Sequence, residues 1–148
     1  MLSSKLQSAG SVKLIKSLKE QTYKNFETII IDDGSTDSTL SIAHRWASGT
    51  QSRNTDVVVT QATSQDSDPA TRIARNFCQG VRLLDDVEFI ALADHDDVWL
   101  SDRLVQQVTL MNTGPSTVMV ASNGVIGEGP RTLFEEFDVP EHLENEEA

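Results

Sequence analysis

This 148-residue chain has little that would cross-link it or carry it through a membrane. It contains one cysteine, Cys78, so an intrachain disulfide is excluded, and the helical pattern around that residue predicts a buried, reduced thiol. It has no apolar run close to the ~20 residues that cross a bilayer, and residues 1–10 lack the apolar core of a secretion signal. We therefore expect a cytoplasmic protein.

Positive charge is scarce, and the lysines are confined to one stretch. The formal net charge is -11, and all five lysines lie between Lys5 and Lys24. Because the chain has no basic stripe to neutralise phosphates along a polymer, nucleic acid is not expected as a partner. The lysines of the first predicted helix could contact an anionic membrane surface, although a solvated helix face is the simpler interpretation.

Helical and strand patterns alternate along the chain. Helices are predicted over residues 11–21, 37–47 and 101–111, with a further helix starting at Asp68-Pro69, and strands over residues 26–31, 57–60 and 87–93. Near-continuously apolar strands between helices are typical of a mostly parallel sheet with helices on both faces. We expect one α/β layered domain over residues 1–134, followed by a disordered acidic tail over residues 135–148.

Carboxylates follow two of the predicted strands. Asp32 and Asp33 precede Gly34 and a hydroxyl-rich helix start, which also fits a plain strand-to-helix turn. Asp94 and Asp96 would project to the same side of an extended backbone, where two oxygen donors can hold one divalent cation that bridges a diphosphate. His95 is expected to point the opposite way.

Several blocks in order resemble the family 2 glycosyltransferases. Residues 21–27 read QTYKNFE, residues 29–39 read IIIDDGSTDST, residues 74–76 read ARN, and residues 89–99 read FIALADHDDVW. The resemblance covers roughly residues 12–111, and the combination is far more specific than either aspartate motif alone.

The resemblance implies a GT-A fold, that of nucleotide-diphospho-sugar transferases, with a UDP- or dTDP-sugar donor and Mg or Mn against the diphosphate. By position, Asp33 with its neighbour Asp32 would bind the nucleotide base, Asp94 would lie by the ribose or the metal, Asp96 would be the chief metal ligand, and Arg75 would support the donor pocket. It implies inverting transfer to the hydroxyl of a glycan or lipid-linked acceptor, in polysaccharide or cell-surface glycan synthesis at the inner face of the membrane.

The chain departs from the family pattern at both ends. No apolar run precedes Ser11, so the first strand of the family pattern is expected to be missing, and the exposed edges left behind would favour a homodimer. No catalytic base is identifiable, since Glu135 and Glu136 are candidates by residue type alone.

Two alternatives stay open. A truncated, non-catalytic module that binds a nucleotide sugar fits the missing segments. The order of Asp94, Asp96 and Val98 also fits a haloacid dehalogenase-like phosphatase, but that class needs a later lysine, and none follows Lys24.

Overall fold

The computed structural model describes residues 2–4, 8–50, 56–114, 117, 119–122, 124–125 and 127. The chain divides into two compact units, Met1–Arg103 and Leu104–Ala148. The elements in chain order are β1 (Leu2–Ser4), α1 (Ser8–Lys19), β2 (Thr28–Asp32), α2 (Thr39–Thr50), β3 (Val57–Gln61), α3 (Pro69–Val81) and α4 (Arg103–Met111). The expected alternation of helices and strands is confirmed from α1 to α3. The predicted tail over residues 135–148 lies outside the described residues.

The three strands form a parallel sheet in the order β1-β2-β3. All five residues of the central strand β2 are buried, as expected for a strand covered on both faces. Asp32 is the last of them, and its carbonyl accepts the Ala62 N–H at 2.8 Å, which extends the pairing one residue beyond β3. The sheet therefore delivers Asp32 to its carboxyl edge, as the sequence predicted.

The expectation that the first strand is missing is wrong. The three residues of β1 pair in parallel with β2, from Leu2 opposite Ile30 to Ser4 opposite Asp32. A parallel ladder needs only an extended main chain, so a segment without an apolar run can form it. Because β2 is paired on both sides, the open edge predicted beside it is absent.

The strand predicted over residues 87–93 does not form within the described part of the chain. Only Ala93 makes an isolated β-bridge, and Ile90 and Leu92 are 45% and 51% exposed. Apolar and β-branched residues favour a strand only where a neighbouring ladder buries them. The segment reaches the second carboxylate cluster as irregular chain.

The first helix, α1, has one buried and one solvated face. Leu14, Ile15 and Leu18 are buried, whereas Lys13, Lys16 and Lys19 are exposed. Lys16 lies 3.9 Å from Glu20 in an exposed ion pair, a contact that contributes little to stability. No helix among the described residues is long and apolar enough to span a membrane.

Helix α3 begins as its sequence predicts. Asp68 is the N-cap, its carboxylate accepts the Thr71 N–H at 2.7 Å, and Pro69 is the first helical residue. Hydrogen bonds from the Thr71 hydroxyl and N–H lower the pKa of Asp68. The prediction of a buried Cys78 is wrong, since the buried face of α3 carries Asn76 and Gly80 and leaves the thiol exposed.

Candidate functional site

The first carboxylate cluster, Asp32 and Asp33, ends β2. Asp32 is 2% exposed; its Oδ2 accepts the Ser35 N–H at 3.3 Å, and its Oδ1 is buried without a hydrogen-bond partner among the described residues. Gly34 has a φ of 75°, which permits the tight turn after the strand. The Thr39 N–H at the start of α2 donates to Asp37 Oδ1 at 2.9 Å, so a carboxylate holds that helix start.

Asp33 is neutralised by an arginine of the chain itself. Its Oδ2 lies 2.7 Å from Nε of Arg72, and the two side chains are 12% and 29% exposed. Arg72 also donates from Nη1 to the Asp66 carbonyl at 3.3 Å, which fixes the guanidinium further. Sequence reasoning missed Arg72. The available signal was its place in the first turn of α3, because the amino end of a helix that follows a parallel strand lies at the carboxyl edge of the sheet.

Arg75 lies one turn further along α3 and has a different partner. Its Nη2 is 3.4 Å from Asp66 Oδ2, its side chain is 64% exposed, and it lines a cavity of about 510 Å³ with Cys78 and Gln79 among others. The structure thus brings Arg72, and not Arg75, to Asp33. A role for Arg75 in the donor pocket stays a prediction.

The second cluster, Asp94, His95 and Asp96, gathers three groups that can bind a metal. One ligand atom from each residue lies within 4.8 Å of the others. Nδ1 of His95 is 3.0 Å from Asp94 Oδ1 and 3.9 Å from Asp96 Oδ1. The side chains of Asp94 and Asp96 are 47% and 73% exposed. The predicted convergence of these two carboxylates is therefore present in the structure.

The expected orientation of His95 is wrong. The Asp97 N–H donates to the Asp94 carbonyl at 3.2 Å, so the backbone turns at this point and side chains no longer alternate as on a strand. The His95 N–H also donates to Asp94 Oδ1, at 2.8 Å. His95 therefore folds back and holds one oxygen of Asp94.

The side chain of Asp97 stabilises this turn by accepting two hydrogen bonds. Its Oδ2 accepts the Asp94 N–H at 3.2 Å and the indole N–H of Trp99 at 3.4 Å. The Arg103 guanidinium lies 4.0 Å from the centre of the Trp99 ring. Burial lowers the pKa of Arg103, and the charge of Asp97 opposes that shift. Asp97 is thus engaged by the protein, which separates it from the two exposed carboxylates.

The second cluster has the composition of a hard-cation site. Among the described residues, no lysine or arginine pairs with Asp94 or Asp96, and no hydrogen bond or ion pair joins this cluster to Asp32 or Asp33. Close carboxylates repel unless a positive group joins them. Carboxylate oxygens suit Mg²⁺, Ca²⁺ and Mn²⁺, so the residues present fit a divalent cation.

Comparison with known proteins agrees with these features. Residues 12–139 match the model of the family described as Glycosyl transferase family 2. The chain belongs to this family. Both carboxylate clusters lie within the matched residues, and the family's GT-A fold agrees with the parallel sheet and alternating helices.

The relatives include two Escherichia coli enzymes described as UDP-Glc:alpha-D-GlcNAc-diphosphoundecaprenol beta-1,3-glucosyltransferases. WfgD is 26% identical in an alignment of 129 residues that covers 87% of this chain, and WfaP is 27% identical in an alignment of 106 residues that covers 67% of it. A third relative, the uncharacterized protein y4gI of Sinorhizobium fredii, is 32% identical over 74% of this chain and 11% of its own length. The chain spans 46% of WfgD and 35% of WfaP.

Proposed function

We propose that this chain binds a nucleotide-diphosphate sugar together with Mg or Mn, and that it serves as the donor-binding part of an inverting glycosyltransferase. The observation that carries the proposal is the second cluster, in which ligand atoms of Asp94, His95 and Asp96 lie within 4.8 Å of one another in a family 2 chain. A UDP- or dTDP-sugar is the donor class we expect.

Within this proposal Asp94 and Asp96 would hold the cation. Nδ1 of His95 lies 3.0 Å from Asp94 Oδ1, and the His95 backbone N–H donates to the same oxygen, which supports a role for His95 in orienting that carboxylate. When bound, the cation would supply positive charge against the diphosphate that departs with the nucleoside. The exposure of Asp96 leaves its carboxylate accessible to such a ligand.

The first cluster would bind the nucleoside. Asp33 uses Oδ2 for Arg72, and that ion pair orients the carboxylate without occupying Oδ1. Asp32 keeps an oxygen without a partner among the described residues, which suits an acceptor for a donor group of the base. Arg72 is therefore added to the donor site that the sequence assigned to Asp32, Asp33, Arg75 and Asp94.

The acceptor would be a glycan or lipid-linked hydroxyl, in polysaccharide or cell-surface glycan synthesis. WfgD and WfaP act, by their descriptions, on a diphosphoundecaprenol-linked sugar, which supports a lipid-linked acceptor. Transfer at the cytoplasmic face of a membrane is part of this proposal. The exposed lysines of α1 would favour peripheral contact with anionic lipid there. A homodimer stays a prediction, although the pairing of β1 with β2 removes the open edge on which it rested. No base for the acceptor hydroxyl is assigned.

A non-catalytic nucleotide-sugar-binding module is the second candidate, since both carboxylate clusters would contact the donor and neither is assigned to the acceptor. It predicts the same donor site without sugar transfer. The phosphatase interpretation gains no support, since a phosphatase would not account for the match over residues 12–139.

Calorimetric titration with UDP, dTDP and their common sugars, with and without Mn²⁺, tests the donor site. We expect metal-dependent binding that weakens at least about 100-fold in Asp96→Asn, because one of two carboxylate ligands loses its charge. Asp85→Asn is the matched control, since it removes an exposed carboxylate from the same region outside the cluster.

If the folded chain binds none of these ligands, or binds them equally in both variants, the donor-site proposal is wrong. Binding that depends on Asp96 with no sugar transferred to lipid-linked acceptors would favour the non-catalytic module.

A further inference from the structure

We propose that helix α1 and the chain just after it position the second cluster, with Gly10, Ser17 and Gln21 as the positioning residues. This inference rests on the proposed donor site and adds the contacts that hold its second cluster in position. The residues concerned lie about 80 positions before the cluster in sequence, yet they contact the turn and the chain that follows it.

Ser17 links the helix to the chain after the turn. It is 4% exposed, its hydroxyl donates to the Leu14 carbonyl at 2.8 Å, and the same oxygen accepts the Trp99 N–H at 3.1 Å. A buried hydroxyl that is both donor and acceptor leaves no polar group unpaired. Trp99 is therefore fixed by its main chain to α1.

Trp99 passes this constraint to the cluster through Asp97. The buried indole donates to Asp97 Oδ2 at 3.4 Å, and the same carboxylate oxygen accepts the Asp94 N–H at 3.2 Å. A continuous set of contacts thus runs from Ser17 to the backbone of Asp94. Displacement of Trp99 would move the residue that carries one of the two proposed ligand carboxylates.

Gln21 holds the next residues. Its side chain is fully buried, and Nε2 donates to the Ser17 carbonyl at 3.1 Å and to the Leu100 carbonyl at 2.7 Å. The neighbouring Thr22 N–H donates to the Ser101 carbonyl at 2.7 Å. The chain just after α1 therefore binds two successive carbonyls after Trp99, which fixes this segment beside the end of the helix.

Gly10 supports the turn from the other side. A Cβ at this position would lie 3.1 Å from the His95 carbonyl oxygen and 3.5 Å from Asp96 Cα. The backbone of α1 thus approaches the cluster itself so closely that only a hydrogen fits without displacement. The turn is held between this contact and the anchors at Ser17 and Gln21.

The second cluster needs such support because its carboxylates carry like charges. Two exposed carboxylates that repel each other must remain within reach of one cation, and no lysine or arginine among the described residues pairs with them. Groups outside the ligand set that fix ligand orientation typically change metal affinity by about 10- to 100-fold. Contacts that only held the core together would change stability without a specific effect on metal binding.

The test measures Mn²⁺ affinity in the presence of UDP by electron paramagnetic resonance, and thermal unfolding by circular dichroism. The variants are Ser17→Ala, Gln21→Met and Gly10→Ala in the full chain, with Asp96→Ala as the ligand knockout. Ile15→Val is the matched control because it trims a buried side chain of the same helix that makes none of these contacts with the turn.

We expect Mn²⁺ affinity to fall about tenfold in Ser17→Ala and Gln21→Met, and to stay at the wild-type value in Ile15→Val. Gly10→Ala gives the sharpest result, because alanine favours the helix while its methyl group presses on the turn. It should weaken Mn²⁺ binding without lowering the melting temperature.

Two results would overturn the proposal. If wild type binds Mn²⁺ with UDP, Asp96→Ala does not, and the three variants bind as tightly as Ile15→Val, the positioning role is wrong and the donor site stands. If wild type itself does not bind, both proposals fall together.

Discussion

The two carboxylate clusters look alike in sequence and differ in how their charge is balanced. Asp33 follows a regular buried strand and pairs with Arg72 at 2.7 Å, with both side chains less than one-third exposed. Asp94 and Asp96 follow irregular chain, are 47% and 73% exposed, and pair with no lysine or arginine among the described residues. The charge of Asp33 is balanced within the protein, whereas the second cluster has donors in place for a cation from outside.

This difference shows why aspartates at the end of an apolar run do not by themselves define a metal site. A carboxylate that an arginine of the chain neutralises is held in place by that ion pair. Its removal leaves the arginine without a charged partner. A carboxylate left beside another carboxylate carries a cost that an added cation removes. Substituting asparagine for aspartate should therefore have opposite effects on stability in the two clusters.

The largest expected effect is at the first cluster. Asp33→Asn should lower the free energy of unfolding by about 1–2 kcal/mol, because the partly buried guanidinium of Arg72 loses its charged partner. Urea unfolding measures the change, with Asp85→Asn as the control for loss of an exposed carboxylate. A double-mutant cycle with Arg72→Met should recover most of the loss as a coupling energy, and the absence of coupling would contradict the pairing.

The next effect has the opposite sign. Asp96→Asn should raise the free energy of unfolding by about 0.5 kcal/mol in the presence of EDTA, because it removes one of two nearby like charges. Added Mn²⁺ should stabilise the wild type and leave the variant unchanged. A variant less stable than wild type in EDTA would show that the repulsion is already relieved within the chain.

Ionic strength should alter the changes in unfolding free energy of the two variants to different extents, and this difference is a smaller effect than the two above. At 1 M salt the screening length is about 3 Å, so the gain in Asp96→Asn should vanish while most of the loss in Asp33→Asn persists. Repeating both unfolding series at low and high salt measures this. Equal salt dependence of the two variants would mean that the clusters are solvated alike.

The smallest expected effect is the pH dependence that Asp68 gives to α3, the helix that carries Arg72. The folded pKa of Asp68 is lowered below its ordinary value of 3.8, so this cap stabilises the protein above that pH and loses its effect as the pH falls through the folded value. Unfolding free energies from pH 6 to pH 2 should fall less steeply in Asp68→Ser than in wild type. Parallel curves would contradict the capping role.

The sequence predicted the parts of the fold that depend on local chemistry. The start of α3 follows from a capping aspartate before proline, and the burial of β2 follows from an unbroken β-branched run. The prediction of a strand over residues 87–93 was wrong because strand formation depends on a neighbouring strand, which an apolar pattern cannot reveal. The strand β1 was missed for the converse reason, since pairing with β2 supplied what its own residues did not.

The candidate site also contains parts that the sequence predicted and parts that it did not. The predicted convergence of Asp94 and Asp96 is present, although a turn produces it rather than strand alternation, and that turn also brought His95 back toward Asp94. Arg72 was missed because the family resemblance drew attention to Arg75, one turn further from the strand end. Ser17 and Gln21 could not have been found from spacing, because their partners lie about 80 residues away.

That separation has a consequence for the order in which the protein is made. The hydrogen bond between Ser17 and Trp99 joins residues 82 positions apart. At about 5–20 residues per second, the ribosome needs roughly 4–16 s to pass from one to the other. During that interval the nascent chain carries α1 with its binding surface for the turn uncovered. The second cluster therefore assembles only after the sheet and helices α1 to α3 have been made, and a chain that stops before Trp99 has the ligands without the anchor that holds them.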